Sequence, residues 1–434
     1  MYEGKRILIA QPIIRGYNGS TMVTFELAKY LQSLGMDVTI YTCDHADPAK
    51  SYFKKNKLKV DTAQDSPSYQ LQDFDYVWVH SQIIPPSLIK ALSQKLPSKI
   101  PTFIFLHMSG MDWIPDEKPW IYNLENRLSS LSLFISEEVK NVNLPFLNQD
   151  VSTDFFRNPA PICYQHRKPE SSSTLSKLLI VSNHLPHEVL EASNILRDKY
   201  HIQITSLGEG LDDCQPFTLK ILEKYDAVLT IAKTVPYCLV SGTPVYVYDT
   251  FGGGPGWLSE DNFTKAKERN FSGYQNDVYP NYEGGVFHRK TASEIASEII
   301  KGYTNALSFH RTHCQSFLSD YSIDHVIPRI FSSLHKRKIT PFSKEYSAAI
   351  TVAEQFATVR FETGGALFIR DDHIRTLEKQ LRNQEERIRK LEQENNELVN
   401  YKKTTEEIFN SGAYRAFNQI IRPYKKLIKR SKNG

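Results

Sequence analysis

The sequence predicts an α/β protein: two doubly wound, Rossmann-like domains facing a shared cleft, followed by a coiled-coil helix and a basic amphipathic tail. Three observations carry this reading. Short, continuous apolar runs alternate with helix-length stretches, the pattern of parallel strands covered on both faces. The alternation breaks at the serine-rich "HRKPESSSTLSK" and then starts afresh, which marks a hinge between two such units. From Ile374 onward the apolar residues fall into a seven-residue repeat. A chain of 434 residues is long enough for two domains with appendages.

The first half opens with the strand "RILIA", a polar loop "RGYNGST" and the helix "MVTFELAKYLQSLG", which stops at Gly35. "DVTIYT", "DYVWVHS" and "PTFIFLH" read as further strands, with "PPSLIKALSQKL" helical between two of them and "SLFISEEVKN" as one more segment. The second half runs strand "LLIVSNH", helix "EVLEASNILRDKY", strand "IQITSLG", helix "TLKILEKY", strand "AVLTIA", a helix, and strand "PVYVYDT". Helical segments follow Thr291 to about residue 365. The division is then 1–165 for the first domain and 166–340 for the second. A helical return follows at 341–369, a coiled coil at 370–408 and a tail at 409–434.

In the coiled coil, Ile374, Leu381, Ile388 and Asn395 fall at a, with Leu377, Gln384, Leu391 and Leu398 at d. Arg387 sits where it pairs with Glu392 of a partner helix, and Asn395 suits two parallel strands in fixed register, so Ile374–Leu398 is expected to form a homo-oligomer. A single solvated helix is the alternative, since the stretch is very polar. From Arg415 to the end there are seven Lys or Arg and no acid, more than the whole chain's net charge of +4. Interleaved with Phe417, Ile420, Ile421, Tyr424, Leu427 and Ile428, and interrupted once by Pro423, Ala413–Gly434 fits an anionic membrane surface. A disordered solubilising tail is the alternative. Nucleic acid is not expected, because no nucleic-acid-binding fold accompanies the charges.

The N-terminal "MYEGKRILIA" has no signal-peptide pattern and no apolar run is long enough to span a bilayer. The five cysteines are scattered and lack metal-type spacing, which favours reduced thiols. A cytoplasmic protein, peripheral at the inner membrane face, is the expectation.

Candidate chemistry gathers where strands end. Gly19, Ser20 and Thr21 lie between the first strand and its helix, where free amides suit an anion, without either GxGxxG or a Walker loop. His80 and His107 each end a strand, and Asp112 follows His107 on its loop; a histidine there suits a general base or a donor to an oxyanion. In the second half Gly208 and Glu209 follow one strand, and Lys233 and Thr234 follow the next just before a helix, a ready phosphate cradle. The run "VYVYDTFGGGPGWL" spills from a strand into Gly252, Gly253 and Gly254, whose backbone is expected to approach a ligand, with Trp257 offering a flat face. A structural turn, a helix cap beside a surface lysine, and a flexible loop are the respective alternatives. No acidic pair of the DxD type stands at a strand end, so no metal is expected.

These residues resemble a family. "NGSTMVTFELAKYLQSLGMDVTIYT", "DYVWVHS" and "KYDAVLTIAKTVPYCLVSGTPVYVYD" are similar to segments of glycosyltransferases with the GT-B fold, over roughly Lys5 to Tyr303. "KTVPYCLVSGTPVYVYDTFGGGPGWL" resembles a bacterial subgroup of surface-polysaccharide assembly. The resemblance implies an acceptor-side first domain and a donor-side second domain binding a nucleotide sugar, taken as UDP-type. It implies Gly19, Ser20 and Thr21 at donor phosphates or acceptor, Lys233 and Thr234 by the diphosphate, Tyr237 facing the nucleoside, and His107 near the transferring sugar. Many retaining members carry two glutamates eight positions apart; aligned on Gly242, those places hold Leu229 and Tyr237. The implied activity is sugar transfer to a glycan, lipid-linked or protein acceptor. A non-catalytic GT-B subunit that stabilises a partner enzyme is the alternative, and a sugar-nucleotide epimerase a more distant one.

Overall fold

The computed structural model describes residues 2–81, 83–110, 121–166, 173–208, 211, 213–249, 253–273, 289–341, 384 and 387–431. Of the sequence's candidates, Asp112, Glu209, Gly252 and the heptad positions Ile374, Leu377 and Leu381 lie outside them.

The first strand, β1 (Arg6–Ile14), alternates its apolar side chains between two cores: Ile7 and Ile9 join one, Leu8 and Ala10 the other. Such a strand has no solvent side, which is why it reads as an unbroken apolar run. It sits within a seven-stranded, all-parallel sheet of order β3-β2-β1-β4-β5-β6-β7. Its partners are β2 (Asp37–His45), β3 (Lys59–Thr62), β4 (Tyr76–His80), β5 (Thr102–His107), β6 (Ser129–Phe134) and β7 (Thr153–Phe155). β3 and β7 escape the sequence reading because each is short and only half-buried.

The helices of this half are α1 (Gly19–Ser33), α2 (Ala49–Lys55), α3 (Pro86–Leu92), α4 (Tyr122–Leu128) and α5 (Glu137–Asn143). α1 begins three residues before the expected Met22. The Asn18 side chain accepts the Thr21 amide at 3.0 Å and so caps the helix, and Gly35 ends it at φ +83°.

The second sheet has the order β12-β11-β10-β8-β9. β8 (Lys177–Val181), β9 (Gln203–Leu207), β10 (Ala227–Thr230) and β11 (Val245–Asp249) are parallel. The helices α6 (His187–Tyr200), α7 (Leu219–Leu222) and α8 (Thr234–Ser241) connect them. β12 (Gly253–Trp257) is the correction: the glycine run is an antiparallel edge strand against β11, not a loop. α9 (Phe263–Glu268), α10 (Ala292–His313), α11 (Leu318–Tyr321) and α12 (Ile323–Ser333) complete this part of the chain.

The chain crosses between the sheets twice. Ala160 on the outward crossing exchanges backbone hydrogen bonds with Tyr321 and Ile323 on the return, at 2.7 and 3.0 Å. α12, placed with the second half by the sequence boundary at 340, instead buries Ile323, Val326, Ile327, Ile330 and Phe331 in the core of the first. With two doubly wound halves joined in this way, the architecture is GT-B.

Residues 369–434 form a separate unit, with a helix α13 over 387–410 and α14 (Gly412–Ser431). α14 runs on through position 423. Ile388, Leu391 and Leu398 are more than half exposed, as are Phe417 and Ile420. Among the described residues, no helix is long and apolar enough to cross a membrane.

Candidate functional site

In an open α/β sheet, ligands bind at the carboxyl ends of strands where the strand order reverses. In the second sheet that point lies between β8 and β10. A cavity of about 200 Å³ opens there, lined by Ser182, Asn183 and His184 after β8 and by Ala232, Lys233 and Thr234 after β10. Tyr17, Gly19 and Met22 close it from the first half. Two helix N-termini therefore converge on one cavity, α1 at Gly19 and α8 at Thr234, each bringing the positive end of its dipole.

Several sequence candidates take their places around this cavity. Gly19, Gly208, Lys233, Thr234 and Tyr237 line it. Gly208 is at φ +152°, and a Cβ there would lie 1.9 Å from the Ser182 carbonyl, so only glycine lets the β9 loop pass the β8 loop. Ala232 holds φ +48° at the β10–α8 turn, a left-handed conformation that alanine adopts only under constraint.

Lys233 reaches the gap between the halves, but its charge is already matched. Its Nζ lies 2.6 Å from Glu26 Oε2 on α1 and donates to the carbonyls of Pro159 (2.9 Å) and Asn158 (3.2 Å). Both Glu26 and Lys233 are 7% or less exposed. Burial pushes the Glu26 carboxyl up and the Lys233 ammonium down, and each charge opposes the other's shift. The free cation expected beside a diphosphate is thus a paired one. Tyr237 donates its hydroxyl to Glu26 Oε1 and stacks on Tyr164 at 4.5 Å.

Other candidates are turned away. Ser20 donates to Asn18 Oδ1 at 3.0 Å, and Thr21 is fully buried; neither lines the cavity. Gly253 and Gly254 do not line it either. A Cβ on Gly254 would sit 2.1 Å from the Val247 carbonyl, so this glycine serves the close approach of β12 to β11. Trp257 offers no flat face: it is 9% exposed, T-shaped against Tyr246 at 5.4 Å, with Nε1 donating to the Glu298 carbonyl at 3.1 Å.

The two histidines differ. His80 is sealed at 0% exposure, its Nδ1 2.9 Å from Gln11 Oε1 and 3.2 Å from Thr24 Oγ1. Desolvation lowers its pKa to about 3, so it is neutral and no proton acceptor at ordinary pH. His107 is 4% exposed at the carboxyl end of β5, with Nε2 2.9 Å from Glu125 Oε1 and its ring stacked on Phe134. Ser132 donates to the same oxygen at 2.6 Å. Sequence reasoning missed Glu125, which lies 18 residues from its histidine, and Glu26, a lone acid in an otherwise buried helix stretch.

No protein-family model matches this sequence, and no curated protein matches it. Among solved structures, the chain is similar to a glycosyltransferase from Rickettsia africae ESF-5, with TM-score 0.47 and 12% identity over 76% of this chain and 97% of that one. TarM aligns with TM-score 0.47 and 10% identity over 76% and 99%. The lipopolysaccharide outer core galactosyltransferase WaaB, in its apo form, aligns with TM-score 0.45 and 13% identity over 76% and 100%.

Proposed function

We propose that the chain is a glycosyltransferase that moves a sugar from a nucleotide diphosphate sugar, taken as UDP-type, to a glycan, lipid-linked or protein acceptor in bacterial surface glycan assembly. The observation behind it is the cavity at the β8/β10 reversal, walled by the N-termini of α1 and α8. As the anomeric carbon–oxygen bond breaks, the sugar gains oxocarbenium character and negative charge moves onto the departing diphosphate. Preorganised amides and the Thr234 hydroxyl meet that charge without a metal ion. His107, held by Glu125 at the carboxyl end of β5 and outside the lining of this cavity, is proposed as the base for an acceptor hydroxyl that approaches from the first half.

Incubation of the purified chain with UDP, GDP, dTDP and CDP sugars should release the free nucleoside diphosphate, with turnover unchanged in EDTA. Turnover lost in EDTA and regained with manganese would refute the metal-free mechanism. A second reading, a non-catalytic subunit of a partner enzyme, is favoured by one observation: the Lys233 charge is committed to Glu26. A chain that binds donor but never turns it over would fit that reading.

The remaining proposals concern place and assembly. The basic, amphipathic α14 lies on an anionic membrane surface at the cytoplasmic face, near lipid-linked acceptors, and two copies associate through the heptads of 374–398.

A further inference from the structure

We propose that Glu26 is a positioning residue of the cavity: its carboxylate, anchored on α1 of the first half, clamps the start of α8 in the second half through Lys233 and Tyr237. The contact joins parts of the chain more than two hundred residues apart: Glu26 Oε1 accepts from the Tyr237 hydroxyl and Oε2 lies 2.6 Å from Lys233 Nζ. Lys233 Nζ pairs with Glu26 and donates to the carbonyls of Asn158 and Pro159, so the ammonium ties α1, the crossing segment and α8 together. Its Nζ also lies 4.6 Å from the Tyr237 ring centroid, which holds the first turn of α8 beneath it. At the rim of the cavity, a Cβ on Gly19 would come 3.2 Å from Lys233 Cβ, so the two helix starts touch.

The chemistry of burial turns this contact into a clamp. A desolvated carboxylate or ammonium is tolerated only with its partner present. In a single rigid core an orphaned charge stays buried, whereas here the halves can part and let water reach it. Loss of Glu26 therefore opens the gap, and the amides of the two helix starts no longer face one cavity. Removing both charges leaves no buried ion to hydrate, and the gap closes again.

Hydrogen–deuterium exchange on the full chain tests this. In E26Q, peptides spanning 19–33 and 234–241 should lose protection while those of β1 and β8 keep it. E26Q/K233M should recover most of the protection. Unchanged exchange in E26Q, or equal loss in the core strands, overturns the proposal. If E26Q does not fold, E26D, with the charge kept and the reach shortened, is read in the same way. A second arm rests on the donor-site reading: for the nucleoside diphosphate that stabilises the wild type, E26Q should bind about tenfold more weakly, as the competent fraction falls to about a tenth. Tighter binding would instead mean that Glu26 merely competes for Lys233, and overturns the clamp. A wild type that binds none of the four diphosphates defeats the donor reading, while the exchange result still decides the clamp.

Discussion

His80 stands at the end of a strand, where a histidine reads as a catalytic base, yet it works as a neutral buried hydrogen-bond donor to Gln11. His310 is also fully buried, and desolvation lowers its pKa to about 4. Both folded-state values lie below the roughly 6.5 of an unfolded histidine. The unfolded chain therefore binds more protons at acid pH, and the stability these groups leave intact above about pH 6.5 is lost as pH falls toward 4. Each histidine should cost about 2 kcal/mol by pH 5. Urea unfolding at pH 7.5 and pH 5 measures the loss, and H80Q should shed about half of it. Equal losses in wild type and variant would place the acid sensitivity elsewhere. Position in a strand was visible from the sequence; the sealing of that position by Gln11 and Thr24, 69 and 56 residues away, was not.

At the scale of elements, strands buried on both faces announce themselves and edge strands do not. β1, β4, β5, β8 and β11 are continuous apolar runs because no side of them meets water. β12 is "GGPGW", made of residues depleted from strands, and exists because its glycines allow contact with the β11 backbone. G254A should therefore lower stability by about 2 kcal/mol or more through overlap with the Val247 carbonyl, seen as a fall in Tm. A variant with wild-type Tm and lost ligand binding would return the glycine run to the role of a ligand loop. The same contrast holds for α12, which falls in the stretch read as helical while its choice of core was not legible.

Across the whole molecule, the alternation of strands and helices sufficed to read two doubly wound halves and a cleft. Gly19, Gly208, Lys233 and Thr234 were found because strand ends point at it, and Tyr237 only through the family resemblance. Glu26 escaped because α1 is buried over most of its surface, so no amphipathic stripe sets its acid apart. The tail's proposed membrane contact rests on its charge and its interleaved apolar residues. Its seven basic residues, each worth roughly 1 kcal/mol near anionic lipid, predict that the full chain cosediments with anionic vesicles and that a chain ending at residue 412 does not. Equal sedimentation of the two would place membrane contact elsewhere.

The central claim is that the cavity between the two halves holds a nucleoside diphosphate sugar. Its most direct test is the unfolding temperature of the full chain against UDP, GDP, dTDP and CDP sugars. Ligand that binds only the folded state at about a hundred times its Kd should add about 2.7 kcal/mol. One nucleotide class raising Tm in a concentration-dependent way, with the gain reduced in E26Q, is the predicted result. No shift with any of the four contradicts the claim.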